Sequence, residues 1–191
     1  MDFEIRKDLT SNWFKTLQDS ICHSIIELEK NKIKFKSTTW KRNQKKDEGG
    51  GEYRILKDGK IFDKVGVNFS KVYGKFPKHF QKQIPGAEKN PNFWASGISV
   101  VMHMKNPLIP AMHFNTRYIC TSHDWFGGGM DVTPSKKDEN EKKEFHKILK
   151  RCVIVITKNI IQNIKNGVTN TFIYHTEKRQ EVLEEFFLIT K

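Results

Sequence analysis

From Gly97 to Ile119 side chains alternate in a pattern that leaves few folds open to the chain. Gly97 to Met104 and Ala111 to Ile119 read as two period-two strands, with Lys105 to Pro110 as the loop between them, and so as a hairpin. Alternate side chains share a face, so Ile98, Val100, Met102, Met112, Phe114, Thr116 and Tyr118 fall together as a nearly apolar core side. Ser99, His103, His113, Asn115 and Arg117 fall on the other side. With the loop centred, His103 stands opposite His113, Val101 opposite Asn115 and Ser99 opposite Arg117. An ordinary solvated face is the plain alternative for the polar set. Solvated faces carry mainly Lys, Glu and Thr, however, whereas this one gathers two His, an Asn and an Arg.

Trp125 to Asp131 then places Gly127, Gly128 and Gly129 in a row, at a cost in backbone entropy and with no gain in core volume. A flexible turn is one reading. The aromatics before the glycines and Asp131 after them favour an ordered segment whose N–H groups meet an anionic ligand, with a carboxylate close by.

The run GISVVMHMKNPLIPAMHFNTRYICTSHDWFGGGMDVTP resembles the signature of the aerobic, oxygen-dependent coproporphyrinogen III oxidase family, H-P-x-N-P-x-x-P-x-x-H-x-N-x-R followed by W-W-F-G-G-G-x-D-L-T-P. A second stretch, GGGEYRILKDGKIFDKVGVNFS, is similar to that family's G-G-G-x-x-R-V-L-x-x-G-x-V-F-E-x-A-G-V-N-F-S. Departures are Met104 in place of Pro, Thr116 in place of an aromatic or Val, and Asp124 in place of the first Trp.

The resemblance implies an α+β fold, an antiparallel sheet covered by helices, here an incomplete version of the coproporphyrinogen oxidase fold. It also implies oxidative decarboxylation of two propionates of coproporphyrinogen III to vinyl groups, giving protoporphyrinogen IX in haem biosynthesis. Dioxygen is then the oxidant and no organic cofactor is used. Arg117 holds a propionate as a bidentate pair, and Ser99, Asn115, Thr116 and the amides of Gly127, Gly128 and Gly129 supply further donors. Asp131 accepts from the pyrrole N–H groups, and His113 is the acid or base. A divalent metal ion on His103, His113 and His146 is a further expectation, as is the family's homodimer.

The 191 residues, 37% hydrophobic with four Trp, suffice for one domain with a core. No apolar run approaches a membrane span, and the start lacks the regions of a signal peptide, so the expected location is cytoplasmic. Cys22, Cys120 and Cys152 form neither a disulfide framework nor a zinc motif and read as buried or incidental thiols. A net charge of +12 suits an anionic partner, either a tetracarboxylate or nucleic acid. The alternative of a basic nucleic-acid-binding domain ranks last, because the polar face is not a phosphate-tracking stripe of Lys and aromatics.

Asp2 to Lys30 reads as an amphipathic helix with Ile5, Leu9, Trp13, Leu17, Ile21, Ile25 and Leu28 toward the core. Lys32 to Trp40 reads as a strand. WKRNQKKDEGGG, from Trp40 to Gly51, reads as a loop or an ordered anion-binding turn, and Asp58-Gly59 as the turn of a hairpin. Lys75 to Asn92 is irregular. Asp138 to Cys152 reads as a helix burying Phe145, Ile148 and Leu149, with an N-cap in Thr133 to Ser135.

The resemblance ends near Cys152, which divides the chain into 1–152, the N-terminal half of the oxidase domain, and 153–191. Codons exist for Val153 to Gln162 that, read two bases on, spell DCHNKEYYP. Continued through Thr190, they spell KYKKWCDEYFYISHREEARGVGGIFFDY, the family's next motifs in order. The expectation is a frameshifted, non-native tail in which a helix such as Glu177 to Phe187 is poorly anchored. The dimer-forming region is then missing and the chain alone inactive.

Overall fold

The computed structural model describes residues 2–30, 32–136, 138–148 and 150–151, together with the backbone of 172–174 and 183–190. Six strands follow one another as an antiparallel meander: β1 (Lys36–Lys41), β2 (Gly49–Lys57), β3 (Phe62–Lys75), β4 (Asn92–Met104), β5 (Ala111–Cys120) and β6 (Asp124–Thr133). Two more, β7 (Phe172–Tyr174) and β8 (Leu183–Thr190), extend the sheet beyond β6 in the order β6-β8-β7. Helix α1 (Phe3–Glu29) crosses one side of the sheet, a one-turn helix α2 (Lys78–Gln81) interrupts the β3–β4 connection, and residues 139–148 form another helix. The class is therefore α+β, built on an antiparallel sheet. Where a helix was expected over 177–187, Leu183 to Phe187 are strand, and 177–182 lie outside the described residues.

The core lies between α1 and the sheet. Val65, Val67, Ile98, Val100 and Tyr118 are aligned by register on one face and buried against Phe14, Cys22 and Ile25. Each large apolar side chain so removed from water contributes roughly 1.5–3 kcal/mol. The α1 stripe is rotated from the expected one. Ile5, Leu9 and Trp13 are 52%, 57% and 53% exposed, while Phe14, Gln18, Cys22, Ile25 and Glu29 are buried.

Two of those buried residues are polar, because each satisfies strand backbone. The Gln18 amide donates to the carbonyls of Glu52 and Val67, at 3.0 and 3.1 Å. The Glu29 carboxylate accepts from the N–H groups of Lys60, Ile61 and Phe62, the closest at 2.5 and 2.7 Å, and so pins the helix end to the β2–β3 turn. That turn has Asp58 at φ 56, in the left-handed region, as the Asp58-Gly59 signal predicts.

Other boundaries moved. β1 begins at Lys36 rather than Lys32, and Gly49 to Gly51 belong to β2 instead of a loop. The helix after β6 is capped by Asp138, whose carboxylate accepts from Asn140 and Glu141, and Ile148 is half exposed rather than core. Leu149 and Cys152 lie outside the described residues. Cys22 and Cys120 are free and buried, as expected.

Candidate active site

The β4–β5 pairing sets Val101 opposite His113, Ser99 opposite Asn115 and Gly97 opposite Arg117. This register is two residues from the centred one, and the cause lies at the loop. His103 and Met104 stay paired to β3, Lys105 N–H donates to Ile61, and the Asn106 side chain caps Leu108 N–H, so the connection is asymmetric. A slip of two preserves side-chain parity. Ser99, His103, His113, Asn115 and Arg117 thus share the face away from α1, and Asp131, opposite His113 on β6, joins them.

Within this face His113 Nδ1 and Asp131 Oδ1 are 2.7 Å apart, so the carboxylate fixes the imidazole and leaves Nε2 free of that bond. Four positions along β5, Arg117 Nη2 donates to Asn115 Oδ1 at 2.5 Å. His103 and His113 rings stand edge to face with centroids 6.2 Å apart. Ser99 and Arg117 are exposed and His113 is half-buried.

The glycines do something other than expected. Gly127, Gly128 and Gly129 lie inside β6, paired with Arg117, Thr116 and Asn115 on one side and with β8 on the other, so their N–H groups belong to strand ladders and form no anion-binding turn. A Cβ on Gly128 would collide with the Asn115 carbonyl. Their contribution is a bare floor: Gly97, Gly127 and Gly129 flank Arg117 and Asn115 without side chains, and a Cβ on Gly66, opposite Val101, would meet nothing within 4 Å. A flat molecule can approach this backbone closely.

Two expectations are not met by the geometry. Thr116 pairs with buried Ile98, so its side chain faces α1 and the core, opposite to His113. No group of three His, Cys, Asp or Glu side chains that could hold a metal ion is present among the described residues. His146 is not brought to His103 and His113 in such a group, and His113 Nδ1 is already engaged by Asp131. The donors therefore do not fit a three-ligand metal centre.

Sequence reasoning passed over Asn68, opposite Ser99 on β3, whose Oδ1 accepts from Trp40 Nε1 at 3.0 Å. It extends the polar face to β1. The signal is present in the GVNFS run, which reads from sequence only as the end of the second family-like stretch and not as part of a site.

Asp124, the charge in place of Trp, is partnered. Its Oδ2 accepts from the Tyr118 hydroxyl and stands 3.3 Å from Arg6 Nε, on the α1 side. Burial, reinforced by this hydrogen bond, pushes the Tyr118 phenol well above its ordinary range, so it remains a donor.

Comparison with known proteins identifies the family. The family model for coproporphyrinogen III oxidase matches residues 9–182, past Cys152, where the sequence motifs stop. The oxygen-dependent coproporphyrinogen-III oxidases of Rickettsia akari (strain Hartford) and Rickettsia typhi are each 49% identical over 154 residues, covering 76% of this chain and 54% of the relative. That of Rickettsia bellii (strain RML369-C) is 47% identical over the same shares. The chain spans about half the length of the curated relatives it matches. With nearly its whole length matched by the family model and its polar strand face in the signature motif, this chain belongs to the coproporphyrinogen III oxidase family.

Proposed function

We propose that the face formed by β3 to β6 is one wall of a coproporphyrinogen III site, within an incomplete version of the coproporphyrinogen oxidase fold. The observation that carries the reading is the His113–Asp131 hydrogen bond standing beside the Arg117–Asn115 pair on a glycine floor. Arg117 takes a propionate through its guanidinium fork, Ser99 and Asn115 add hydrogen bonds, and the bare glycine backbone lets the macrocycle lie close. Asp131 accepts from a pyrrole N–H or orients His113. The relatives' names supply dioxygen as co-substrate.

For each propionate, loss of CO₂ and of a hydride equivalent from the neighbouring carbon leaves a vinyl group, and dioxygen takes the two electrons to become hydrogen peroxide. That balance consumes one proton, which His113 delivers on this reading; the Asp131 hydrogen bond to its ring supports the assignment. The reaction belongs to haem biosynthesis in the cytoplasm.

On this reading the wall binds substrate without sustaining turnover by itself: the quoted motifs stop near Cys152, and we propose a frameshifted tail over 153–191 even though the family model continues to residue 182. Titration with coproporphyrin III, read from its main absorption band, tests binding: Arg117→Ala weakens it about tenfold or more. Equal binding by wild type and Arg117→Ala overturns the assignment. Oxygen-dependent decarboxylation by the purified chain above that of a His113→Ala, Asp131→Ala control overturns the second part.

A further inference from the structure

The basic run between β1 and β2 plays no part in the site above, yet it builds a cavity of its own. Lys15, Lys41, Lys45, Lys46, Lys71 and Tyr73 line a cavity of about 540 Å³ at the β1–β2 end of the sheet. Lys41, Gly50 and Lys71 are successive partners across β1, β2 and β3, as are Thr39, Glu52 and Phe69, which places the cavity on the α1 side, opposite to His113. Its floor is bare where β2 reads Gly49-Gly50-Gly51. A Cβ on Gly50 would collide with the Trp40 carbonyl, so residue 50 offers bare backbone to the cavity.

The connecting loop is held in place before any ligand arrives. Arg42 N–H donates to Gly49, Tyr73 N–H to Glu48, and the Asn43 side chain accepts from the amides of Lys45 and Lys46. Both acids of the cavity are engaged. The Tyr73 hydroxyl, with Gly49 N–H, holds Asp47 below the usual carboxylate range, and Glu52 accepts from Arg54 Nε at 2.6 Å. The side chains of Lys45, Lys46 and Lys71 make no hydrogen bond or ion pair among the described residues. Five lysines thus line a preformed hollow whose two carboxylates already hold hydrogen bonds.

We infer that this cavity binds a small polyanion bearing phosphate groups. The choice follows from the donors: every cation in the lining is Lys, a compact point charge that reads charge density, and no Arg fork is there to match a planar carboxylate. A single compact hollow also differs from the extended stripe that tracks a nucleic-acid backbone. This site stands on the other side of the sheet from the porphyrinogen wall, so its fate is independent of that reading.

The test is titration of the full chain with inorganic tripolyphosphate at physiological salt, followed by backbone amide NMR shifts and calorimetry, with citrate as the carboxylate arm. The expected result is saturable binding with shifts centred on Lys45 to Gly51 and Lys71, and citrate weaker by about tenfold. Lys45→Gln with Lys71→Gln weakens tripolyphosphate about tenfold while keeping the wild-type dispersion of amide signals, and His113→Ala leaves binding unchanged. Shifts spread over lysines throughout the surface, citrate binding as tight as tripolyphosphate, or wild-type affinity in the double variant would each overturn the inference.

Discussion

Asp124 shows how one substitution is absorbed by its neighbours. A carboxylate replaces a ring, and the chain answers with the Tyr118 hydroxyl and the Arg6 guanidinium; the Asp124 side chain is only 7% exposed. Removing it leaves both partners stranded, so Asp124→Ala is expected to cost about 2–4 kcal/mol in urea unfolding. Because the phenol is then the unpaired group, Asp124→Ala with Tyr118→Phe should cost less than the sum of the singles by about 1 kcal/mol, and strict additivity would show that the pair does not interact. Glu52 makes a pH-dependent contribution. The Arg54 hydrogen bond lowers its carboxyl below the ordinary Glu value, so the folded state binds that proton less readily than the unfolded chain. Its stabilisation is present in full above the unfolded value of about 4.3 and is lost as pH falls through the lower folded value. Unfolding midpoints compared at neutral and acid pH should converge for Glu52→Gln relative to wild type; an unchanged acid loss would assign it to other groups.

Among the strands and helices, what could be read in advance followed from period two. The two faces of β4 and β5 were legible from alternation alone, because a shift of two residues leaves parity intact, and so the polar set survived a wrong register. The register itself depends on Asn106 and the β3 contacts of His103 and Lys105, which no alternation encodes. Helix α1 was legible as a helix but not in its orientation. Its apolar stripe is split between core and solvent, and the buried line includes Gln18 and Glu29, whose value comes from strand carbonyls and amides distant in sequence. The first glycine run reads from sequence as a loop or anion-binding turn and the second as an ordered segment with free N–H groups, whereas here each lies in a strand where a side chain would strike the next strand's backbone. The Glu29 anchor gives a test of how α1 is held. Glu29→Ala leaves three N–H groups of the β2–β3 turn without their acceptor and is expected to lower stability by about 2–4 kcal/mol, a drop of roughly 4–16 °C in thermal midpoint. Gly59→Ala, which drives a Cβ into the same carboxylate, should act in the same direction, and a wild-type midpoint for either would remove the anchor.

For the molecule as a whole, one sheet divides two chemistries: a glycine-floored polar face with His113, Asp131, Asn115 and Arg117 on one side, and α1, the core and the lysine cavity on the other. The frame proposed for residues 153–191 is decided by the gene. Bases after the Cys152 codon that fail to encode DCHNKEYYP in the shifted frame would make the tail a native element, to be explained by the β8 pairing with β6. The polar face itself is tested most directly by the imidazole NMR signals of the chain during titration with coproporphyrin III. His103 and His113 share that face, while His23 lies on α1 and His123 in the β5–β6 turn. The account predicts that the signals of His103 and His113 shift together and saturate while His23 and His123 stay in place; movement of His23 or His123 with His103 and His113 unchanged would contradict it.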